Sequence, residues 1–273
     1  MNAVTLLGLS ALQWVAVVVT LLSLLVIAES WLGHFRSGFP LRAQYTPLAI
    51  GGLLAVSGIS AAIAPAAPWT HVGLRIAGVA AVITGVIGVG YHHWYGIVEK
   101  AGGYRWLLHY LMYGAPQLAP LSLSVVGALA FVDAHALGGQ DALWGTSISG
   151  SFLGIVTVGL AGAIAQAGIL HYRGAFNTPL MYVPLMIPPL AVLAGAWMWA
   201  SPGTASHLAM RVSLWLTLLT GFVGLGMHLR GVDRQMGGLH VPLVNLLQGP
   251  PPLAPAVFAG LSAVGLASLE LAR

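Results

Sequence analysis

The feature that most constrains the fold is a series of long apolar stretches joined by short polar connections. An apolar helix of about 20 residues crosses the roughly 30 Å hydrocarbon core of a bilayer. The sequence predicts eight such spans, near residues 4–32, 47–67, 71–97, 115–136, 146–172, 180–200, 206–230 and 252–272. Only 6% of the residues are charged, too few to cover the surface of a water-soluble protein. We therefore expect an all-α integral membrane protein.

Prolines bear on where these spans begin and where one of them breaks. Proline is well tolerated in the first turn of a helix, where its missing N–H has no partner to lose. We therefore expect helices to begin near Pro47, Pro116 and Pro251. Three more prolines lie inside the sixth span and predict a kink or an unwound turn there: Pro184, Pro188 and Pro189.

An internal repeat relates the two halves of the sequence. The segment HFRSGFPLRAQYTPL, which begins at His34, aligns without a gap with HYRGAFNTPLMYVPL, which begins at His171. GIVEKAGG at 96–103 also matches GVDRQMGG at 231–238. The offset stays between 135 and 137 residues, half the chain. Shared leucines and glycines arise by chance between apolar helices, but His, Arg, Tyr and Pro in register do not.

The repeat predicts the domain organisation. We expect one membrane domain made of two tandem four-helix repeats, 1–136 and 137–273. Because four helices is an even number, both repeats enter the membrane in the same direction. This predicts a pseudo-two-fold axis along the membrane normal.

Lysines and arginines predict the orientation, because short cytoplasmic loops carry most of them. The connections after the first, third, fifth and seventh spans carry Arg36, Arg42, Lys100, Arg105, Arg173, Arg230 and Arg234. The opposite side carries Arg75, Arg211 and Arg273. This predicts both termini outside, in a membrane that we take to be a bacterial inner membrane.

Four histidines at matched depth are candidate ligands of a redox centre: His34, His93, His171 and His228. The chain has no cysteine, which excludes thiolate ligation. Facing histidines on separate helices are typical of a bis-histidine haem b site. We expect one haem b in each half, or alternatively one metal ion held by all four histidines on the pseudo-axis.

Two arginines follow these histidines, and both have a structural alternative. Arg36 and Arg173 are placed to pair with haem propionates or with an anionic headgroup. The alternative for histidines and arginines alike is that they anchor helix ends at the membrane interface.

A weaker second site recurs on the opposite side, where His71 and Arg75 correspond to His207 and Arg211. Each His–Arg pair lies one helical turn apart and therefore shares a face. This pattern indicates a contact for an anion, a quinone or a haem propionate. The alternative is that the arginines extend to the outer headgroups.

Glu29, with Gln166 at the matching position, is a polar group inside a predicted span. We take it as the only acidic residue well inside a span. Intramembrane carboxylates mark proton or cation paths, whereas the alternative is a hydrogen bond between helices.

Taken together, these features predict a membrane electron-transfer subunit, the haem-b-bearing or quinone-facing partner in an oxidoreductase complex. We expect partner subunits and a bilayer, and no nucleic acid, since no basic cluster occurs. A redox subunit fits better than a stand-alone enzyme, because the loops leave no room for a catalytic domain. The alternatives are a small-solute transporter or channel, and a structural or pigment-binding subunit of a photosynthetic or respiratory assembly.

Overall fold

Helices make up most of the chain in the computed structural model, which describes residues 8–272. In chain order they are α1 (Ala11–Ser37), α2 (Thr46–Ile63), α3 (Pro68–His93), α4 (Leu107–Tyr113), α5 (Leu121–Leu137), α6 (Ile148–Arg173), α7 (Val183–Met186), α8 (Pro188–Ala200), α9 (Thr204–Asp233), α10 (Pro242–Gln248) and α11 (Ala256–Leu271). A two-residue hairpin, β1 (Ala142–Leu143) with β2 (Thr146–Ser147), joins α5 to α6. The predicted all-α class is confirmed.

Within residues 8–272, six helices are long and apolar enough to cross a membrane. They are Ala11–Ser37, Arg42–Ile63, Pro68–Val98, Ile148–Arg173, Pro179–Ala200 and Thr204–Asp233. Two shorter apolar helices, α5 and α11, have 17 and 16 residues. Large apolar side chains on the perimeter are exposed, among them Ile63 at 77% and Val158 at 71%. Such surfaces suit lipid rather than water, so the chain is a helical membrane protein.

Two predicted helix starts are wrong. Pro47 does lie in the first turn of α2, but α5 begins at Leu121 rather than near Pro116, and α11 at Ala256 rather than near Pro251. The residues in between form successive turns closed by hydrogen bonds between residues three apart. These turns deliver the chain to the bundle before the α-helix begins.

The predicted interruption of the sixth span is confirmed. The helix stops at Met186 and restarts at Pro188, with Ile187 between α7 and α8. Neither Pro188 nor Pro189 has an N–H to donate to the preceding turn, so the regular hydrogen-bond ladder cannot pass through this point.

Parts of two predictions lie outside the described residues. The first predicted span, 4–32, begins within residues 1–7, and α1 continues beyond it to Ser37. Arg273, which entered the charge count, also lies outside the described part. The predicted boundary between 136 and 137 falls at the end of α5, just before the hairpin.

Four helices form the centre of the bundle, and two hairpins flank them. α1 and α6 each pack against both α5 and α11, which makes a ring of four. α3 packs along α5 and α9 along α11, while α2 lies against α1 and α8 against α6. Phe152 and Leu160 of α6 and Leu261 of α11 are among the largest fully buried side chains. The core therefore lies in the ring.

Close helix contacts fix how α3 and α9 lie on their partners. A Cβ atom added to Gly85 of α3 would lie 2.8 Å from the amide nitrogen of Ser124 in α5. One added to Gly221 of α9 would lie 2.5 Å from the amide nitrogen of Ala259 in α11. Only glycine allows two helix backbones to approach this closely.

The bundle has two ends. We call the end where α1, α3, α6 and α9 finish the histidine end, because His34, His92, His171 and His228 lie there. The opposite end carries the hairpin between α5 and α6, and we call it the Asp141 end after the residue that precedes the hairpin.

Candidate functional site

The first candidate site lies where α1 and α3 finish, and it contains His34 and His92. Their ring centroids are 6.3 Å apart, with the ring planes inclined at 70°. Nδ1 of His92 is 2.9 Å from the carbonyl oxygen of Pro116. The ring of His34 lies near the backbone of Gln44, while its Nδ1 is buried without a hydrogen-bond partner in the described part of the chain.

The second candidate site has the same composition and lies where α6 and α9 finish. The ring centroids of His171 and His228 are 6.2 Å apart, with the planes inclined at 56°. Nδ1 of His171 is 2.7 Å from the carbonyl oxygen of Met181, and Nδ1 of His228 is 2.7 Å from that of Pro251. Each half of the chain therefore brings two half-buried imidazoles together.

These hydrogen bonds determine which ring nitrogen carries the proton. A carbonyl oxygen only accepts, so Nδ1 of His92, His171 and His228 must carry the proton and donate it. In a neutral imidazole the other nitrogen, Nε2, then has a lone pair. Histidines that bind metals are commonly held in this way, with one ring N–H donated to a backbone carbonyl.

An aromatic pair lies beside each histidine pair. Phe39 stacks on Tyr45, and Phe176 on Tyr182, each with centroids 4.5 Å apart and planes 13° apart. Phe39 and Phe176 have φ angles of 49° and 45°, in the left-handed region. That conformation costs a bulky residue about 1–2 kcal/mol. In both places it closes the helix C-terminus and lays the phenylalanine ring against a histidine, at 5.9 Å from His34 in the first.

His93, the ligand predicted for the first pair, is not the partner of His34. Nε2 of His93 is 2.6 Å from the hydroxyl oxygen of Tyr104. Adjacent residues on a helix are rotated by about 100°, so His92 and His93 point in different directions. The predicted match of His93 with His228 is therefore corrected: His92 makes the contact that corresponds to His228.

This one-residue error has a local structural cause. Beyond α3 the helix continues as a π-turn over Trp94–Val98, where the N–H of Glu99 donates to the carbonyl of Trp94 at 2.9 Å. A π-turn holds one residue more than an α-turn. The matching part of α9 is regular α-helix through to Asp233. The first half therefore has one residue more than the second half between this histidine and the matched loops GIVEKAGG and GVDRQMGG. That residue follows His92 instead of preceding it.

The four histidines do not converge on one point, as the alternative arrangement required. Within residues 8–272, no three side chains of His, Cys, Asp or Glu are grouped closely enough to hold a metal ion. Each site thus offers two imidazoles, and the remaining groups around them are aromatic rings and backbone carbonyls.

The two arginines next to the histidines are placed differently. Nη2 of Arg173 donates to the carbonyl oxygens of Leu111 and Gly114, at 2.7 and 3.0 Å. It therefore caps the C-terminus of α4 in the other half of the chain. Arg36 is exposed, and its charge lies within electrostatic reach of Glu29.

Glu29 and Gln166 occupy matching places but have different contacts. Oε1 of Glu29 accepts a hydrogen bond from the N–H of Leu253 at 2.7 Å, just before α11. Oε1 of Gln166 is buried and lacks a hydrogen-bond partner among the described residues. Glu29 thus connects α1 with the turn before α11, a contact between the two halves of the chain.

At the Asp141 end, the predicted second site is split between two different arrangements. Nε2 of His71 is 2.6 Å from the carbonyl oxygen of Pro65, and Nε of Arg75 is buried without a hydrogen bond to any described residue. In the other half, Nη1 of Arg211 forms an ion pair with Oε1 of Glu270 at 2.8 Å.

A cavity of about 910 Å³ opens at the Asp141 end, and His207 is in its lining.

The expectation that Glu29 is the only acid inside a span is wrong, because Asp133 is fully buried in α5. The signal was present in the sequence, since Asp133 falls within the predicted span 115–136. Its position close to the end of that span concealed it.

No protein-family model, curated protein or solved structure matches this chain.

Proposed function

We propose that the chain consists of two tandem four-helix repeats, with eight membrane spans related by a pseudo-two-fold axis along the membrane normal. The shorter helices α5 and α11 would complete the count of eight. A set of contacts that occurs twice supports the proposal: the histidine pair, the Phe–Tyr stack and the glycine contact between helices. In the four-helix ring, α1 and α6 exchange places under such an axis, and so do α5 and α11.

We further propose that the protein is a membrane electron-transfer subunit in which each half holds one histidine-ligated redox centre. The observation that carries the proposal is the pair of imidazoles in each half, three of whose four rings have Nδ1 fixed by a carbonyl and Nε2 left as a ligand. Metal–nitrogen bonds of about 2.0–2.1 Å would allow two imidazoles that bind one ion to have ring centroids up to roughly 6 Å apart. The observed separations are 6.3 and 6.2 Å.

Haem b is the cofactor that this ligand set favours. Histidine nitrogen is a common ligand of haem iron, and a chain without cysteine offers no thiolate in its place. The rings of Phe39 and Phe176 lie 5.9 and 6.4 Å from the rings of His34 and His171, so they would be apolar neighbours of a bound haem. Arg36, which is exposed, would be the propionate partner in the first half, and Arg173 would remain the cap of α4.

Adjacent histidines supply a sharp test. The full chain is produced with haemin supplied, and its dithionite-reduced minus oxidised spectrum and metal content are compared for wild type, His92→Ala and His93→Ala. We expect His93→Ala to keep the wild-type spectrum and His92→Ala to lose the signal of the first site. A wild-type protein that carries no haem, metal or pigment would overturn the proposal. Loss with His93→Ala alone would restore the pairing predicted from the sequence.

We also propose the electron partners, the membrane and the orientation of such a subunit. Electrons would pass to or from a quinone or a partner subunit in a bacterial inner membrane, with both termini outside. The chain has no native cysteine, so single cysteines report the orientation. An impermeant thiol reagent added to intact cells should label Asp141→Cys and spare Lys100→Cys. The reverse pattern would place the histidine end outside.

A transporter or channel for a small solute is the second candidate, and the cavity at the Asp141 end favours it. The cavity runs between α6 and α8, and Leu153 and Gly195 are in its lining. If this candidate is right, proteoliposomes loaded with a small neutral solute should release it faster than protein-free liposomes loaded with the same solute. The variant Leu153→Trp should then slow release, whereas Leu193→Trp on the exposed face should not.

A further inference from the structure

A buried acid, Asp133, lies in α5 near the Asp141 end of the bundle. Asp133 of α5 has 0% of its surface exposed. Neither of its carboxyl oxygens has a hydrogen-bond partner in the part of the chain that the structure describes. Buried polar groups without a partner are rare in folded proteins, and each calls for an explanation.

No charged neighbour explains the burial. The helices packed against α5 are α1, α2, α3 and α6. Of these, only α3 carries ionisable residues in its half nearest the Asp141 end, namely His71 and Arg75, and α5 itself carries His135. Nδ1 of His135 is 2.8 Å from the carbonyl oxygen of Phe131. No ion pair joins Asp133 to Arg75, since the one ion pair formed within residues 8–272 is that of Arg211 with Glu270.

The cavity at the Asp141 end is lined by a residue of α5 close to Asp133. Ala136, three residues after Asp133 on α5, lines the cavity of about 910 Å³ at the Asp141 end. Residues three apart on a helix are neighbours on one face. Asp133 therefore lies within one helical turn of a residue that lines this cavity, although it does not itself line it.

We propose that Asp133 is a proton-binding site that exchanges its proton with the Asp141 end through this cavity. A carboxylate buried without a partner carries a charge that its surroundings do not stabilise, and a bound proton removes that charge. A metal cation would need several oxygen ligands, and no three acidic or histidine side chains cluster within residues 8–272. The proposal goes beyond the redox function and does not depend on the histidine pairs.

The site belongs to the first half alone. At an offset of 135 residues, the position that corresponds to Asp133 is Ser268. Its hydroxyl donates to the carbonyl oxygen of Gly265 at 2.8 Å. A serine hydroxyl does not ionise in the ordinary pH range, so the two halves differ in this respect.

Infrared spectroscopy of the full chain in liposomes tests the proposal. The wild type should show the carbonyl stretch of a protonated carboxylic acid, and Asp133→Asn should lose it. Asp141→Asn, which changes an exposed acid, should keep it. The band should shift on transfer to D₂O. A bulky maleimide on Ala136→Cys should slow that shift, because it closes the cavity.

Two results would overturn the proposal. If Asp133→Asn keeps the whole band, Asp133 holds no proton. If the maleimide leaves the exchange unchanged, the proton does not use the cavity. If a variant fails to fold, a measurement on the wild-type chain still tests the proposal. Dicyclohexylcarbodiimide reacts with protonated carboxyl groups in apolar sites, so mass spectrometry should find it on Asp133 and not on Asp141. The opposite labelling would also contradict the proposal.

Discussion

The two halves of the chain are alike at the histidine end and differ at the Asp141 end. At the histidine end, both imidazole pairs have centroids about 6 Å apart, at 6.3 and 6.2 Å. At the Asp141 end, Arg211 is paired with Glu270, whereas Arg75 makes no ion pair within residues 8–272 and His135 takes the place of Glu270. The buried Asp133 likewise has Ser268 as its counterpart.

This difference separates contacts that are present in both halves from contacts that are present in one half. A contact that needs a strained phenylalanine, a fixed imidazole and a matched partner helix is present in both halves, so we assign it to the function that the halves share. The acid and the ion pair each occur in one half, and we assign them to that half alone. Substitutions at equivalent residues of the two halves test this division.

The largest effect is expected at the matched glycine contacts. Gly85→Ala and Gly221→Ala each place a Cβ atom against a backbone nitrogen, at 2.8 and 2.5 Å. Forcing the helices apart should lower the free energy of unfolding by about 1–3 kcal/mol in each case. Unfolding in a denaturant titration in detergent measures both variants.

Matched controls for the glycines lie on the same two helices. Gly90 and Gly226 have no atom within 4 Å of an added Cβ. Alanine there should leave stability unchanged or raise it by about 0.5–1 kcal/mol, because alanine favours helix more than glycine does. Large losses at these controls, or a loss at only one of the two contacts, would contradict the equivalence of the halves.

A smaller effect should distinguish Glu29 from Gln166. Glu29→Ala removes the acceptor of the Leu253 N–H and should cost about 0.5–2 kcal/mol, as for other partly buried hydrogen bonds. Gln166→Ala should cost less than about 0.5 kcal/mol, because its Oε1 has no partner to lose among the described residues. Glu29→Gln keeps an acceptor and serves as the control. Equal losses for the two alanine variants would mean that the inter-half contact is symmetric.

The smallest effect concerns the ion pair. A double-mutant cycle on Arg211→Gln and Glu270→Gln should give a coupling of about 0.5–1 kcal/mol, since the two side chains remain 32% and 22% exposed. Arg75→Gln combined with Glu270→Gln should be additive within about 0.5 kcal/mol. Coupling of Arg75 to Glu270 would place the two arginines in one network.

The sequence was sufficient for the all-α membrane class, which depends on apolar length, and for the interruption of the sixth predicted span. The interruption at Pro188 follows from the missing N–H of proline. The segments beginning at His34 and His171 are matched in the structure, as the ungapped alignment requires. The helix starts at Leu121 and Ala256 could not be read in the same way, because a chain of turns and a first helical turn have the same composition.

Two errors at the sites have different physical origins. The choice of His93 over His92 depended on where one extra residue sits, and only the π-turn at Trp94–Val98 locates it. Asp133 was overlooked because an acid close to the end of an apolar span looks like a loop residue. Whether it is buried depends on which helices surround α5, and hydropathy contains no such information.

The most direct test of the central claim is the number of bound centres per chain. Haem or metal content, divided by protein determined from amino-acid analysis, should give two centres for the wild type and for His93→Ala. His92→Ala should give one, and His92→Ala combined with His228→Ala should give none. One centre in the wild type, lost completely with either His92→Ala or His228→Ala, would mean that the halves share a single site. That result would contradict the account of two equivalent histidine sites.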